Sequence, residues 1–413
     1  MAETIKHIDA LEVLTGSGRP TVEARVVTAG GIETTASVPS GTSRGLYEAA
    51  EVYDGGSRYR GRGVRRAVEH VIKIIAPALL GMDVTRQAEI DETLVRLDGT
   101  PDKSRLGANA ILPVSVACAK AGAAALGQPC YRYLSSDVSH ALPAPVATVI
   151  AGGRHSSSPL PYEDYLLVCD GFGSMAESVE ALVETRRMLE ETLSERFGPI
   201  PDVGGAMAPP IGDSRQAFDA MLGAAAKAGF DGKFSLGLDV AASEFWANNR
   251  YNMPDGACDA KQMCDRLLAL SREYPLRFIE DPFDQDDFAS FAALTEAAKG
   301  AMIVGDDLFA TNQARLRRGI EQRAANALLL KINQVGTVSE AVEASRLAAS
   351  NRYKIIVSLR SHDTNDSFIA DLAVAVGASH IKLGSPVRGE RNAKYNRLLR
   401  IESDLNRAAC SAG

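Results

Sequence analysis

Short apolar runs that each end in one charged residue recur along the second half of the chain. They read KFSLGLD, LRFIED, AMIVGDD, ALLLK, KIIVSLR and HIKLG, and stretches with helical spacing separate them. Continuous apolar runs of about four to six residues are typical of strands buried on both faces, as in a parallel sheet. The pattern therefore predicts alternating strands and helices that close into a (β/α) barrel.

The charged residues at the ends of these runs are the candidate chemistry. Because the C-terminal ends of barrel strands open onto one face, we expect these side chains to converge in one pocket although they lie far apart in sequence. The set consists of Asp239, Glu280, Asp306, Lys331, Arg360 and Lys382.

Three members of the set are carboxylates, which together form an oxygen-only ligand set. Such a set suits a hard cation such as Mg²⁺, whereas three converging carboxylates without a cation would repel one another. A single acid at a strand end is more often a helix cap or half of a salt bridge. Three in succession favour a site for one or two Mg²⁺ ions on Asp239, Glu280 and Asp306.

The basic residues complete a site that could enolise a carboxylic acid. We expect the buried amine of Lys331 to lose its proton easily beside metal charge, and a neutral amine can remove a proton from carbon next to a carboxylate. Lys382 and Arg360 are expected to hold the carboxylate and the phosphate of a small, anionic, phosphorus-containing substrate.

The first 140 residues follow a different pattern. Apolar and polar residues alternate in IKHIDALEVLTG, TVEARVVTAG and IETTASVP, which predicts an antiparallel meander, and residues 62–130 have helical spacing. We predict an N-terminal α+β domain over residues 1–140 and a barrel domain over residues 141–413. The Gly/Ser-rich stretch VPSGTSRGLYEA is either a surface turn or a flap whose Ser43 and Arg44 reach an anion or a metal.

Composition narrows the class of protein. The chain of 413 residues has a net charge of -7, which argues against general nucleic-acid binding. We see no apolar run that could span a membrane and no signal-peptide pattern at the start. Six scattered cysteines without a CxxC pair favour a reduced, cytoplasmic protein.

Several motifs together resemble the enolase family over nearly the full length of the chain. They are VPSGTSRGLYEA, LGANAIL, LGLDVAASEF, FIEDPFDQDD, VGDDL, LLLKINQVGT, SFIADLAV, IKLGSP and AKYNRLLRIE. The resemblance implies an α/β protein with a modified (β/α)8 TIM-type barrel and an N-terminal α+β cap domain. It also implies substrates like 2-phosphoglycerate and a homodimer or a higher homo-oligomer.

The resemblance also implies roles for individual residues. Asp239, Glu280 and Asp306 match the Mg²⁺ ligands of the family, and Lys331 matches the base that removes the C2 proton. The remaining matches are Lys382 to the lysine that helps hold the carboxylate, Arg360 and Ser361 to phosphate-binding positions, and Ser43 to the loop serine that closes on the second metal.

Departures from the family concentrate in other segments. Enolases carry a GDEGG loop whose glutamate is the general acid that expels the C3 hydroxyl, and the corresponding stretch here, DVGGAMAPP (202–210), lacks the acidic pair. The histidine of the family's HRSGETED is Leu359 here, and the DSRGNP segment, whose arginine serves the dimer interface, reads TGSGRP. Arg44 and Arg154 replace small polar residues, and the family's Gln-Glu pair is Glu163-Asp164.

Three functions remain open on these grounds. The preferred one is an enolase-superfamily lyase or synthase for phosphonate or phosphinate antibiotic biosynthesis, forming carboxyphosphonoenolpyruvate, with Arg44 or Arg154 binding the extra anionic group unless they only face solvent. The second is a true phosphopyruvate hydratase whose substitute general acid is His155, Glu163, Asp164 or His362. The third is a non-catalytic protein that keeps the ligand pocket.

Overall fold

The N-terminal part of the chain forms a sheet covered by helices. The structure, a computed structural model, describes residues 3–41, 45–135, 140–254 and 256–412. Strands β1 (Ile5–Leu14), β2 (Pro20–Thr28) and β3 (Glu33–Ser37) pair antiparallel in the order β1-β2-β3, as the alternating pattern predicts. The helices that follow are α1 (Arg65–His70), α2 (Ala76–Leu79), α3 (Gln87–Asp98), α4 (Ala108–Ala125) and α5 (Cys130–Leu134), with a π-helical turn at Val71–Ile75 between the first two.

Helix α4 corrects one expectation about apolar runs. By length and composition alone it could cross a membrane, although the sequence seemed to contain no such run. Of this helix, 83% is buried inside the fold, where its small side chains pack against β2 and β3. It is therefore a core helix of the cap domain in this structure.

The second part of the chain is a closed barrel with helices around it. Its strands are β4 (Ala144–Ala151), β5 (Asp164–Val168), β6 (Asp202–Val203), β7 (Ala206–Met207), β8 (Ser235–Asp239), β9 (Trp246–Ala247), β10 (Arg250–Met253), β11 (Gly256–Cys258), β12 (Leu276–Glu280), β13 (Met302–Gly305), β14 (Ala327–Leu330), β15 (Lys354–Ser358) and β16 (His380–Lys382). Its helices are α6 (Met175–Phe197), α7 (Ser214–Lys227), α8 (Ala260–Glu273), α9 (Phe288–Ala297), α10 (Gln313–Gln322), α11 (Val338–Ser350), α12 (Phe368–Ala375) and α13 (Gly389–Ala412).

Eight strands close the barrel in the order β4-β5-β8-β12-β13-β14-β15-β16, and β16 pairs with β4. Strand β5 runs antiparallel to both of its neighbours, and the other pairs are parallel. The barrel and the cap confirm the predicted fold class. The division at residue 140 remains a prediction.

The stretch predicted as a loop at 202–210 contains a short hairpin. Strands β6 and β7 pair antiparallel, and Met207 pairs with Ile150 on β4, so the hairpin is attached to the barrel. Its two turn residues, Gly204 and Gly205, have φ values of +60° and +97°. A two-residue hairpin with positive φ at both turn positions favours glycine, which explains the Gly-Gly pair.

Candidate active site

A cavity of about 290 Å³ opens at the C-terminal ends of the barrel strands. Asp239 and Lys382 are the last residues of β8 and β16, while Asp306 and Lys331 directly follow β13 and β14. All four line the cavity. The predicted convergence of the strand-end charges therefore holds in the structure.

Lys382 connects two of the predicted metal ligands. Its ammonium lies 2.7 Å from a carboxylate oxygen of Asp239 and 2.7 Å from one of Glu280. Burial alone would lower the pKa of Lys382, but the two carboxylates outweigh it and hold this pKa well above its usual value. Burial, followed by the charge of Asp239, raises the pKa of Glu280.

Lys331 pairs with the third predicted ligand. Its ammonium donates to Asp306, whose other carboxylate oxygen accepts from the amide of Gln334 at 2.9 Å. Burial lowers the pKa of Lys331, but the charges of Asp306 and Glu280 act against burial, and this pKa lies above its usual value. The expected easy loss of the Lys331 proton beside metal charge stays a prediction, and the structure adds that Asp306 is the direct partner of this lysine.

Asp281 and Asp307 belong to the site, although the sequence analysis did not single them out. The Asp281 carboxylate accepts the backbone N–H of Asp306 at 3.0 Å and that of Asp307 at 2.6 Å, which fixes the end of β13. Burial and then Asp306 raise the pKa of Asp307 to about 7. The sequence signal that could have found them is the pair of adjacent acids in IED and in GDD. The sequence analysis assigned a role to only the first acid of each pair.

Arg360 reaches the cavity from the strand end after β15, held by a residue of the cap. Its guanidinium lies 2.9 Å from the carboxylate of Glu48, and both side chains are 6% exposed. Burial lowers the pKa of Arg360, but Glu48 and then Asp306 act against burial, and this pKa lies above its usual value. Glu48 is a further residue that the sequence analysis missed, and it ties the cap domain to the barrel site.

Three neighbours of Arg360 also line the cavity. Leu359 is 8% exposed, so an apolar side chain occupies the position of the family's histidine. Ser361 is exposed, and Nδ1 of His362 lies 2.5 Å from the hydroxyl of Ser17. Burial and then the charge of Arg19 lower the pKa of His362 to about 4.

A second group of acidic residues and one histidine also lines the cavity. One ligand atom each of His155, Glu163 and Glu244 lies within 4.8 Å of the others, and Nε2 of His155 is 2.8 Å from Glu244. Asp164 lies 3.6 Å from Lys382 and accepts from the hydroxyl of Thr148. Burial raises the pKa of Glu163 well above its usual value, and Asp239 raises it further.

Four of the predicted site residues are not among those that line the cavity. Two of them lie outside its lining, and the other two are not described by the structure. Arg154 is exposed, donates to the backbone carbonyl of Glu244 at 2.7 Å and does not line the cavity. The expectation that it binds substrate is therefore not met by its position. Glu280 is fully buried, contacts Lys382 and does not line the cavity. Ser43 and Arg44 lie outside the described residues.

Comparison with known proteins assigns the family. Residues 139–413 match the family described as "Enolase, C-terminal TIM barrel domain", and residues 5–134 match "Enolase, N-terminal domain". The chain belongs to the enolase family. It is 49% identical to the protein named Enolase from Methanopyrus kandleri over 98% of this chain and 97% of that one. For the Enolase of Methanothrix thermoacetophila the identity is 46% over 100% and 99%, and for that of Methanocaldococcus jannaschii 47% over 97% and 95%.

Enolase-family enzymes use Mg²⁺, and the site of this member fits that ion. Oε1 of Glu280 is buried and has no hydrogen-bond partner among the described residues, so a cation would satisfy it. Asp281, in contrast, already uses its oxygens on two backbone N–H groups. Asp239, Glu280 and Asp306 therefore suit the ion better than the tighter cluster of Asp281, Asp306 and Asp307.

Proposed function

We propose that this protein is a Mg²⁺-dependent lyase that removes the C2 proton of a 2-phosphoglycerate-like acid and forms an enolpyruvate. The observation that carries this proposal is the meeting of Lys331, Lys382 and Asp306 at the ends of three barrel strands in one cavity. The names of the relatives, all Enolase, support the same assignment.

Lys331 is the residue best placed to hold the C2 proton. Burial and the charges of Arg360 and Lys382 lower its pKa, so the neutral amine would become available if Asp306 were engaged as a metal ligand. Mg²⁺ supplies positive charge that stabilises the enolate when it is bound. Lys382 and Arg360 orient the substrate through its carboxylate and phosphate.

Elimination of the C3 hydroxyl also requires an acid, and we assign Glu163 to this step. It lines the cavity, and burial and then Asp239 raise its pKa well above its usual value, which favours the protonated form that an acid needs. His362 also lines the cavity, but its pKa of about 4 leaves it without a proton to give there. Phosphopyruvate hydratase activity with Glu163 as the substitute acid is therefore the function we favour.

A second candidate is formation of carboxyphosphonoenolpyruvate in phosphonate or phosphinate antibiotic biosynthesis. The relatives' names lend it no support. What favours it is the wall formed by Val203, Gly204 and Leu359, which offers no acid where the family has a glutamate and a histidine. A wall without these two side chains suits a substrate whose anionic groups differ from those of 2-phosphoglycerate.

One pair of assays tests these assignments on purified protein with Mg²⁺ and 2-phosphoglycerate. Exchange of the C2 proton in deuterated water reports proton removal, and growth of enolpyruvate absorbance reports elimination. Exchange and elimination at ordinary enolase rates would support the hydratase and exclude the second candidate. Ligand binding without exchange would instead identify a non-catalytic protein. Light scattering would test the predicted homodimer or higher homo-oligomer.

A further inference from the structure

Arg391 is a buried arginine in the wall of the active-site cavity. It is 7% exposed, and its Nε is buried without a hydrogen-bond partner. Its guanidinium makes no hydrogen bond or ion pair with any residue in the described ranges. Within the part of the chain that the structure describes, five other basic residues are buried, and each has a carboxylate partner: Lys103, Arg315, Arg360, Lys382 and Lys394.

This arrangement is unfavourable for the protein alone. Burial of a charge without a partner opposes folding, because the lost hydration is not replaced. Arg391 is also the third residue of α13, where the positive end of the helix dipole disfavours a cation. The charge of Arg391 lowers the pKa of Asp164, but the two side chains form no hydrogen bond or ion pair. An anionic partner from outside the chain would remove both penalties.

Two glycines make the position possible. A Cβ atom at Gly204 would lie 2.7 Å from Nη2 of Arg391, and one at Gly384 would lie 2.5 Å from Nη1. Any other residue at either position would force the guanidinium to move. Gly204 belongs to the hairpin that stands where the family carries its acidic loop. The hairpin therefore leaves room for an unpaired arginine at the cavity wall.

We propose that Arg391 binds an anionic group of the ligand that is additional to the carboxylate and the phosphate of 2-phosphoglycerate. The group is an oxyanion, either a carboxylate or a phosphoryl group, which a guanidinium can bind through two N–H donors. This proposal rests on the proposed function for the location of the site. It names a further class of ligand that the site accepts beside 2-phosphoglycerate: a 2-phosphoglycerate-like acid with one more anionic group.

Calorimetric titration of the full-length, Mg²⁺-saturated protein tests the proposal with two pairs of probes. The first pair is 2,3-bisphosphoglycerate and 2-phosphoglycerate, which differ by a phosphoryl group on the C3 oxygen. The second pair is phosphonoformate and inorganic phosphate, of which only the first carries a carboxyl on phosphorus. In at least one pair we expect the more anionic probe to bind about tenfold tighter or more, and the pair that responds identifies where the extra group sits.

Variants connect that preference to Arg391. In Arg391→Gln the preference should fall to within about twofold, a loss of about 1 kcal/mol or more, and Arg391→Lys should restore part of it. Arg400→Gln, an exposed arginine of the same helix, controls for the loss of one positive charge and should keep the preference. Val203→Glu adds a carboxylate to the cavity wall next to Gly204, whose Cβ position would lie 2.7 Å from Nη2 of Arg391, and should suppress the preference with Arg391 intact.

Three results would overturn the proposal: neither pair shows a preference, the preference survives in Arg391→Gln, or that variant weakens both members of a pair equally. Thermal unfolding of Arg391→Gln checks folding, and we expect no loss of stability because an unpaired buried charge has been removed. Failure of the proposed function would appear separately, as absence of C2 proton exchange in the unaltered protein, while the binding ratios would still report on Arg391.

Discussion

The two halves of the cavity differ in how their charges are arranged. The proton-abstraction half comprises Asp239, Glu280, Asp306, Lys331 and Lys382, where each lysine pairs with carboxylates. The leaving-group half comprises the 151–163 segment, the 202–207 hairpin and Leu359, Arg360, Ser361 and His362, and the unpaired Arg391 lies against its hairpin. The first half stands on barrel strands, which fix its geometry. The second stands mostly on connections that can change without breaking the sheet, so specificity can change there while proton removal is kept.

Loss of Lys331 should have the largest effect on the comparison between the halves. In Lys331→Ala we expect C2 proton exchange of 2-phosphoglycerate to fall by about 10³–10⁴-fold, because no other lysine pairs with Asp306 in the described chain and a positioned base contributes that much. Deuterium incorporation measured by proton NMR checks this. The control is Lys354→Ala, which removes an exposed lysine at the N-terminal end of β15, away from the cavity. This variant should exchange the C2 proton at the normal rate. Exchange that persists in Lys331→Ala would assign the base to another residue.

Substitution of Glu163 should affect the reaction of the leaving-group half without affecting that of the proton-abstraction half. In Glu163→Gln we expect formation of enolpyruvate to fall by about 10²–10³-fold, because the amide cannot give up a proton in place of the carboxylic acid. Exchange at C2 should change by less than about threefold, since Lys331 is untouched. Parallel absorbance and NMR assays give both rates.

Glu195→Gln, an exposed glutamate of α6, is the matched control and should leave both rates unaltered. Equal loss of exchange and elimination in Glu163→Gln would mean that Glu163 positions the substrate instead of donating a proton. An unchanged elimination rate in Glu163→Gln would mean that Asp164 or His155, and not Glu163, is the acid.

The proton-abstraction half was predictable from the sequence because one rule covers it. Charged residues that end apolar strands meet at one face of a barrel, so Asp239, Asp306, Lys331 and Lys382 followed from their positions alone. The alternating pattern of the first strands likewise predicted the β1-β2-β3 sheet. These features depend on local periodicity and on a single closure rule.

The leaving-group half could not be read in the same way. Arg154 looked like a cavity residue because it neighbours His155, but the turn of the chain directs its guanidinium to the carbonyl of Glu244. Arg391 lies beyond the last strand and gave no signal, since its environment depends on Gly204, which is remote in sequence. Glu48 was missed for the same reason, because its partner Arg360 belongs to the other domain.

Metal affinity tests the ligand set of the proton-abstraction half. In Glu280→Gln we expect Mg²⁺ to bind about 10–100-fold more weakly, because the variant lacks the carboxylate whose free oxygen suits the ion. Calorimetry with Mg²⁺ and with no substrate measures this without relying on activity. Glu296→Gln, an exposed glutamate of α9, should bind Mg²⁺ normally. Unaltered affinity in Glu280→Gln would shift the site toward Asp281, Asp306 and Asp307.

The smallest expected effect concerns His362 in the leaving-group half. Its pKa is about 4 in the folded protein, mainly because of burial and next because of Arg19, against ~6.5 in an unfolded chain. Between these values the unfolded chain binds the proton and the folded protein does not, so the free energy of unfolding should decrease as the pH falls from ~6.5 towards ~4.

Substitution of His362 should remove that part of the pH dependence. The difference in unfolding free energy between the unaltered protein and His362→Gln should be constant above neutral pH and should shift against the unaltered protein below pH ~6.5. Urea titrations at several pH values measure it, with the exposed His7→Gln as control. A difference that stays constant down to pH ~4.5 would mean that His362 can be protonated in its folded environment. His362 would then compete with Glu163 as the acid of the leaving-group half, which the elimination rate of His362→Gln at neutral pH would decide.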